Sequence, residues 1–127
     1  MTPDSLFVPF PEGGAWLNLN DRMHHQPRRK HVKRWREAAE AAAEDHGRAH
    51  PYTVDILAEI HKAPGPNVRW DSHNLAPTTK AIIDGLVDAA VLRDDNTACV
   101  YWVATVDGGR REEPGVTITI TPTKEKP

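Results

Sequence analysis

Between Tyr52 and Val106 the spacing of apolar residues switches from alternation to helical periodicity and back. That switch limits the folds open to the chain. Tyr52, Val54, Ile56, Ala58 and Ile60 alternate with Thr53, Asp55, Glu59 and His61, which is the pattern of a strand with one buried face. Thr79, Ile83, Leu86 and Ala90, widened by Ile82 and Val87, then recur at helical spacing. Asn74 is a residue of N-cap type, and Pro77 sits where a first turn tolerates proline. Arg93-Asp94-Asp95-Asn96 has turn chemistry, and Thr97 to Val106, dense in Val, Tyr and Trp, reads as a strong central strand.

The flanks add elements of the same kinds. Leu6 to Phe10 is a short strand stopped by prolines, followed by a turn at Gly13-Gly14 and a second extended piece from Ala15 to Leu19. Arg28 to Asp45 is helical, with Val32, Trp35, Ala39 and Ala42 on one face, and Gly47 and Pro51 end it. Asp107-Gly108-Gly109 reads as a hairpin turn, and Val116, Ile118 and Ile120 alternate with threonines in a last strand. With 127 residues, 39% hydrophobic and 27% charged, the chain reads as one domain, 1–127, with 122–127 as a frayed tail. No apolar run approaches the ~20 residues of a membrane span, and the N-terminus lacks the pattern of a secretion signal. Cys99 is the single cysteine, which excludes an internal disulfide and fits a reducing, cytoplasmic setting. Lying inside the predicted strand, it reads as a small core residue.

The net charge of −2 does not by itself mark a nucleic-acid binder, but its distribution is uneven. Arg22, Arg28, Arg29, Lys30, Lys33, Arg34 and Arg36 follow one another with no acid among them, while acids gather at Glu37 to Asp45 and Asp71 to Asp95. Cations at the start of a helix and acids toward its end oppose the helix dipole by ~0.3–1 kcal/mol per charge. Local stability favours the reverse order, and a polyanionic partner accounts for the departure. The plain alternative is a solvated charged face.

Three carboxylates, Asp71, Asp94 and Asp95, flank the second helix, and Lys80 stands one turn inside it. Folded to one edge, such acids repel unless a cation lies between them, and a hard ion such as Mg²⁺ suits oxygen ligands. An ion there neutralises phosphate and activates water, with Lys80 stabilising charge on the scissile phosphate. The plain alternative is a solvated turn, an exposed Asp71, and Lys80 paired with Asp84 one turn on. The histidines lack zinc spacing: His24-His25 has no cysteine near it and no HExxH occurs. Phosphate-binding and nucleotide-binding glycine motifs and the GxSxG elbow are also absent. Trp16, Trp35, Trp70 and Trp102 read as core, with Trp70, beside Asp71, a candidate exception.

Asp71, Asn74-Leu75, Lys80-Ala81, Asp84-Gly85-Leu86 and Asp94-Asp95 reproduce the D-x-x-N-L…K-A-x-x-D-x-L…D-D signature of the RusA-like Holliday junction resolvases, crossover junction endodeoxyribonucleases common in bacteriophages and prophages. The opening Val8-Pro9-Phe10-Pro11, then Asn20-Asp21-Arg22 and Lys33-Arg34-Trp35-Arg36, are also similar to that family, and the resemblance runs from Phe7 to Thr121. It implies a dimeric α/β fold of α+β type, a small mixed sheet of about four to five strands with two main helices packed on it. It implies Mg²⁺-dependent cleavage of four-way DNA junctions by a homodimer in the cytoplasm of a bacterial host cell, with no organic cofactor and no membrane. Asp71 and Asp95 fall on acids the family uses for metal and catalysis, and Lys80 on its functional lysine. Asp94 and Asp84 match further acids, and Asn74 the asparagine that opens the helix. The sequence departs at His73, where the family's best-known form has an acid, and in extra residues around Ala76 to Thr78. Either Asp94 supplies the missing ligand, the reading favoured here, or His73 gives a nitrogen better suited to Mn²⁺, or activity is impaired. At Ala90 a glycine would leave a helix more easily. The competing readings are a non-catalytic DNA-binding phage protein with a degenerate metal site, and a phosphoesterase acting on other substrates.

Overall fold

The computed structural model describes residues 4–19, 25–44, 46, 50–66 and 70–123. In chain order the elements are strand β1 (Asp4–Pro9), helix α1 (His25–Ala42), strand β2 (Val54–His61), one turn of 3-10 helix (Ser72–Leu75), helix α2 (Ala76–Asp88), strand β3 (Val100–Asp107) and strand β4 (Gly115–Pro122). The strands form one mixed sheet in the order β1-β4-β2-β3. β2 runs parallel to β3 and antiparallel to β4, and β4 runs antiparallel to β1. This is the expected α+β architecture, a four-stranded mixed sheet with two helices on it.

Alternation in the sequence becomes rows across the sheet. Leu6, Ile118 and Ala58 lie in register, as do Val8, Val116 and Ile60, and all six are buried. On the helix side the core is closed by Trp35 and Ala39 of α1 and by Ala81, Ile82, Ile83 and Leu86 of α2. The opposite face carries Ser5, Thr117, Thr119, Leu57 and Glu59, which are half-buried or exposed. Trp35, fully buried, donates its indole N–H to the Ala15 carbonyl at 2.8 Å and packs with Phe10 and Trp16. Segment 15–19 is pinned, yet it pairs as no strand. The Thr78 hydroxyl, at 0% exposure, serves both the N–H and the carbonyl of Leu17, at 2.8 and 3.0 Å, so a side chain takes the place of a neighbouring strand.

Several boundaries differ from the reading above. β3 is an edge strand, not a central one: Tyr101, Trp102 and Val103 are 71%, 50% and 43% exposed, so Trp102 is not a core residue. Its composition is that of a buried strand, and only the pairing order reveals the open side. Asp107-Gly108-Gly109 is not a hairpin, because β2 lies between β3 and β4. The chain leaving β3 crosses the end of β2, with Gly108 N–H on the Ile60 carbonyl at 2.9 Å and Arg111 N–H on the Lys62 carbonyl at 3.0 Å. Cys99 precedes β3 and is half-buried. α1 ends at Ala42, earlier than predicted, and unwinds through three-residue turns, Glu44 N–H to Ala41 and His46 N–H to Ala43. The predicted frayed tail holds further than expected, since Pro122 pairs with Val54 and the Thr123 N–H reaches the Thr53 carbonyl at 2.8 Å. Residues 124–127 lie outside the described residues.

α2 stops at Asp88, so Ala90 is not on its apolar stripe but beyond its end, at φ +61°. Val91 N–H bonds the Leu86 carbonyl and Ala90 N–H the Val87 carbonyl, both at 3.0 Å, with Val91 and Leu86 fully buried. This is the Schellman closure, whose left-handed position favours glycine. An L-residue there costs ~1–2 kcal/mol, partly offset by glycine's larger unfolded-state entropy. Ala90→Gly is therefore expected to raise stability by about 0.5–1 kcal/mol, read as a higher denaturation midpoint with unchanged slope. A lower midpoint would contradict the assigned closure.

Candidate functional site

The βαβ unit from β2 to β3 through α2 brings Lys80, Asp84 and Asp95 together, and does not group Asp71 with them. Lys80 projects from the second turn of α2. Its ammonium bonds Asp84 Oδ1 at 2.9 Å, one turn further along, and also Asp95 Oδ2 in the loop that leads to β3. The approach of Lys80 to Asp95 closes the loop between helix and strand and joins two of the residues singled out in the sequence. The turn itself orients the acid. Asp94 Oδ1 accepts the Asp95 N–H at 2.7 Å, Asp94 Oδ2 accepts from the Asn96 amide at 3.2 Å, and Asn96 Oδ1 accepts the N–H groups of Ala98 and Cys99. Asx chemistry thus shapes the loop locally, and the Thr53 hydroxyl ties it to the core side by donating to the Ala98 carbonyl at 2.8 Å.

The charges follow from these contacts. Hydrogen bonds donated to Asp95 and then to Asp84 hold the Lys80 ammonium above its ordinary range. The same bond from Lys80, followed by its charge, holds the Asp95 carboxyl below the usual carboxylate range. Lys80 and Asp95 therefore carry opposite charges at neutral pH. The cluster is open to solvent, with the Lys80 side chain 59% exposed, so it contributes only about 0–1 kcal/mol to stability.

Asp71 lies at the entry to the 3-10 turn in extended conformation, its carbonyl accepting the Asn74 N–H at 3.1 Å. Its carboxylate is exposed, with no hydrogen bond or ion pair among the described residues. His73, on that turn, is exposed. Asn74 is not the N-cap of α2. Leu75 holds that position, with no side-chain bond, because a 3-10 turn intervenes and Pro77 removes a donor that a cap would satisfy. Asn74 acts instead through its backbone, its carbonyl accepting the Leu19 N–H at 2.8 Å.

A groove of about 500 Å³ runs beside the cluster, walled by His73, Ala76, Thr79, Lys80 and Ile83 from the helix side and by Val103, Ala104 and Thr105 of β3. Thr79 and Thr105 share a 2.7 Å hydrogen bond that ties α2 to the edge strand. Sequence reasoning did not find this groove. The period of β3 puts Val103 and Thr105 on one side, but which side faces α2 follows only from the register with Ile56 and Ala58.

The basic helix is only partly available. Arg34 Nη1 donates to the Gly13 carbonyl at 2.5 Å and Arg28 to the Asn18 carbonyl at 3.4 Å. Arg36 forms a two-point bond with Asp88 at 2.5 and 2.8 Å, which raises the guanidinium further above its ordinary range and lowers the Asp88 carboxyl. Lys30 and Lys33 are exposed and make no ion pair among the described residues, and Arg29 is also exposed. Arg22 lies outside the described residues. Through Arg28–Asn18 and Leu19–Asn74, the start of α1 neighbours the 3-10 turn that carries His73, so the cationic end lies toward the N-terminal end of α2.

Asp71, Asp84, Asp94 and Asp95 offer oxygen donors, which suit Mg²⁺ and leave little for a soft metal. Two of these carboxylates already share one positive charge, that of Lys80. The donor chemistry therefore fits a hard cation, while among the described residues no group of three or more His, Cys, Asp or Glu side chains is placed to hold one. Among the described residues no helix is long and apolar enough to cross a membrane. Comparison with models of known protein families and with curated proteins finds no match for this chain.

Proposed function

We propose that the chain is a structure-selective DNA endonuclease that resolves four-way junctions by metal-dependent phosphodiester hydrolysis, as a homodimer. The observation that carries this reading is the meeting of Lys80 with Asp95, residues set apart along the chain and both in the resolvase-like signature, beside a groove and toward the cationic end of α1. Asp94 and Asp95, adjacent in one turn, would offer oxygen donors to Mg²⁺ or Mn²⁺, with Asp71 and His73, at the 3-10 turn, the further candidates. When bound, the ion neutralises phosphate charge and makes water a stronger nucleophile. Lys80 presents an ammonium to the charge that grows on the phosphate. Lys30 and Lys33, with Arg29, meet the DNA backbone, where charge governs affinity.

A second copy has a natural place. β3 is an eight-residue edge with no proline or lysine to guard it, whereas the other edge, β1, is shorter and ends at Pro9. Asp55 Oδ1, buried on the open face in register with Trp102, has no partner among the described residues. Two-fold symmetry would pair two active sites with the two strands of a junction.

The test is cleavage of a synthetic four-way junction and of the matching linear duplex, each with Mg²⁺, with Mn²⁺ and with a chelator. Paired nicks in the junction alone, dependent on either ion, are expected. Junction binding should fall by about 10²-fold or more between roughly 50 and 200 mM salt. A non-catalytic DNA-binding protein is the second reading, favoured by the way Lys80 already pairs with both Asp84 and Asp95. Junction binding with no cleavage under any ion would establish it and sink the first.

A further inference from the structure

In β3, sequence and place disagree. Its residues are those of a buried strand, yet it lies at an edge with Tyr101, Trp102 and Val103 exposed in succession. Edges are commonly guarded by charges or prolines, and Val100 to Val106 contains neither. One irregularity is present, a register shift between Val54 and Asp55 that skips Tyr101 and leaves Trp102 onward regular. The groove beside α2 is floored by Val103, Ala104 and Thr105 of this same strand, and no strand of the sheet follows on its outer side. It is a trough with one wall.

Geometry narrows what can cover that edge. A strand that pairs antiparallel with its own copy does so about a two-fold axis perpendicular to the sheet, so both copies keep their helices on one side. Opposed residues then share a face, and one residue meets itself on the axis. The pairing that uses the whole regular run from Trp102 to Val106 is centred on Ala104. It sets Trp102 against the partner's Val106, an aromatic beside a β-branched side chain, and Val103 against the partner's Thr105. The smallest side chain of the run stands where two identical groups come closest. Asp107 opposes the partner's Tyr101, so no acid faces an acid. Covering Tyr101, Trp102 and Val103 removes roughly 300–400 Å² of side chain per copy, about half of the ~800 Å² per partner of a standard stable interface. The pairing is therefore sized for a dimer that dissociates on dilution.

We infer that two copies join edge to edge through β3, antiparallel and centred on Ala104, and that the groove is half of a site the second copy completes. This deepens the homodimeric part of the reading above and rests on it. The two sheets become one, the paired β3 strands form a shared floor, and the α2 helices wall it on the same face. A Lys80 then stands on each flank of one symmetric trough.

The first measurement is sedimentation of the full chain, without DNA, over a dilution series, where a concentration-dependent dimer is expected. Ala104→Lys and Ala104→Asp, at a half-buried position, should each weaken the dimer by at least about 10²-fold, because like charges meet on the axis. Mixing these two variants should restore it, which a folding defect would not allow. In a Cys99→Ser background a disulfide should form on oxidation, either between two Ala104→Cys chains or between Val103→Cys and Thr105→Cys chains. Antiparallel pairs alternate between close and wide, so one of the two sets has the shorter spacing a disulfide needs. A parent that is monomeric at every concentration, or a dimer that survives both charged variants alone, overturns the pairing. Ion-dependent junction cleavage by such a protein leaves the endonuclease reading standing. A dimer that behaves as expected yet neither binds nor cuts a junction keeps the pairing and sinks that reading.

Discussion

Asp95→Asn is expected to lower Mg²⁺-dependent junction cleavage by at least about 10²-fold while leaving the fold in place. The substitution keeps the shape of the side chain and one acceptor for Lys80, and removes the charge. The stability effect should be small, about 0–1 kcal/mol, since the ion pair is exposed and its neighbour Asp84 continues to hold the lysine. Asp88→Asn is the matched control. It too breaks an exposed ion pair, between Arg36 and the last turn of α2, but lies two turns beyond Lys80 and should leave cleavage near the parent level. Initial rates on a labelled four-way junction, together with melting curves, separate the two. Asp95→Asn retaining more than about a tenth of the parent rate would remove Asp95 from the chemistry. Equal losses in the two variants would mean that charge in general is being read.

The site was legible in part because its residues lie in one short stretch. Lys80 and Asp84 are one turn apart on any helix, so their contact needed only the helical period. The approach of Lys80 to Asp95 required a further fact, that α2 ends at Asp88 and the chain turns back through the left-handed Ala90. The periodic reading carries the helix on to Leu92, past its end at Asp88, and so points Asp95 elsewhere. The apolar pattern does continue, since Val91 and Leu92 are buried, but they are buried by the closure rather than by the helix.

The fold shows the same division between local and non-local information. Strand and helix types follow from period, and every main element was found. Pairing order does not, because the two faces of a strand are written in its sequence while its neighbours are not. β3 was therefore taken for a central strand on composition that would serve either place. The basic run of α1 is a similar case. Seen as charge it is one patch, but Arg28 and Arg34 spend hydrogen bonds on segment 13–18 and Arg36 on Asp88. These contacts join segments far apart in the chain. Much of what resembled a DNA-binding surface is also the clamp that holds α1 to its neighbours, which leaves Lys30 and Lys33 as the sharper probes of phosphate contact.

Gly85→Ala should cost about 1–2 kcal/mol, although by helix propensity alone it should stabilise. In the interior of α2 an alanine gains ~1 kcal/mol over glycine. Against this, a Cβ at position 85 would stand 2.3 Å from the Arg36 carbonyl oxygen and 2.8 Å from the Ala39 Cβ, both on α1. Neither neighbour is the far end of a flexible side chain, so the contact is relieved only by moving the helices apart. The interface also carries buried Trp35, Ala39, Ile82 and Leu86, and separating tightly packed elements typically costs ~1–3 kcal/mol or more. The clash outweighs the propensity gain, and the melting temperature should fall by roughly 3–10 °C for a domain of this size. The loss should not stay local, because moving α2 away from α1 also shifts Lys80 relative to Asp95, whose loop is anchored on β3 rather than on α1. Junction cleavage measured well below the melting temperature should therefore drop along with stability. Ala39→Gly in the Gly85→Ala background removes one of the two obstructions but not the carbonyl, so it should recover only part of the loss. Full recovery would show the Arg36 backbone to be more yielding than its place in the middle of α1 suggests, and a Gly85→Ala protein as stable as the parent would mean that the two helices do not meet there.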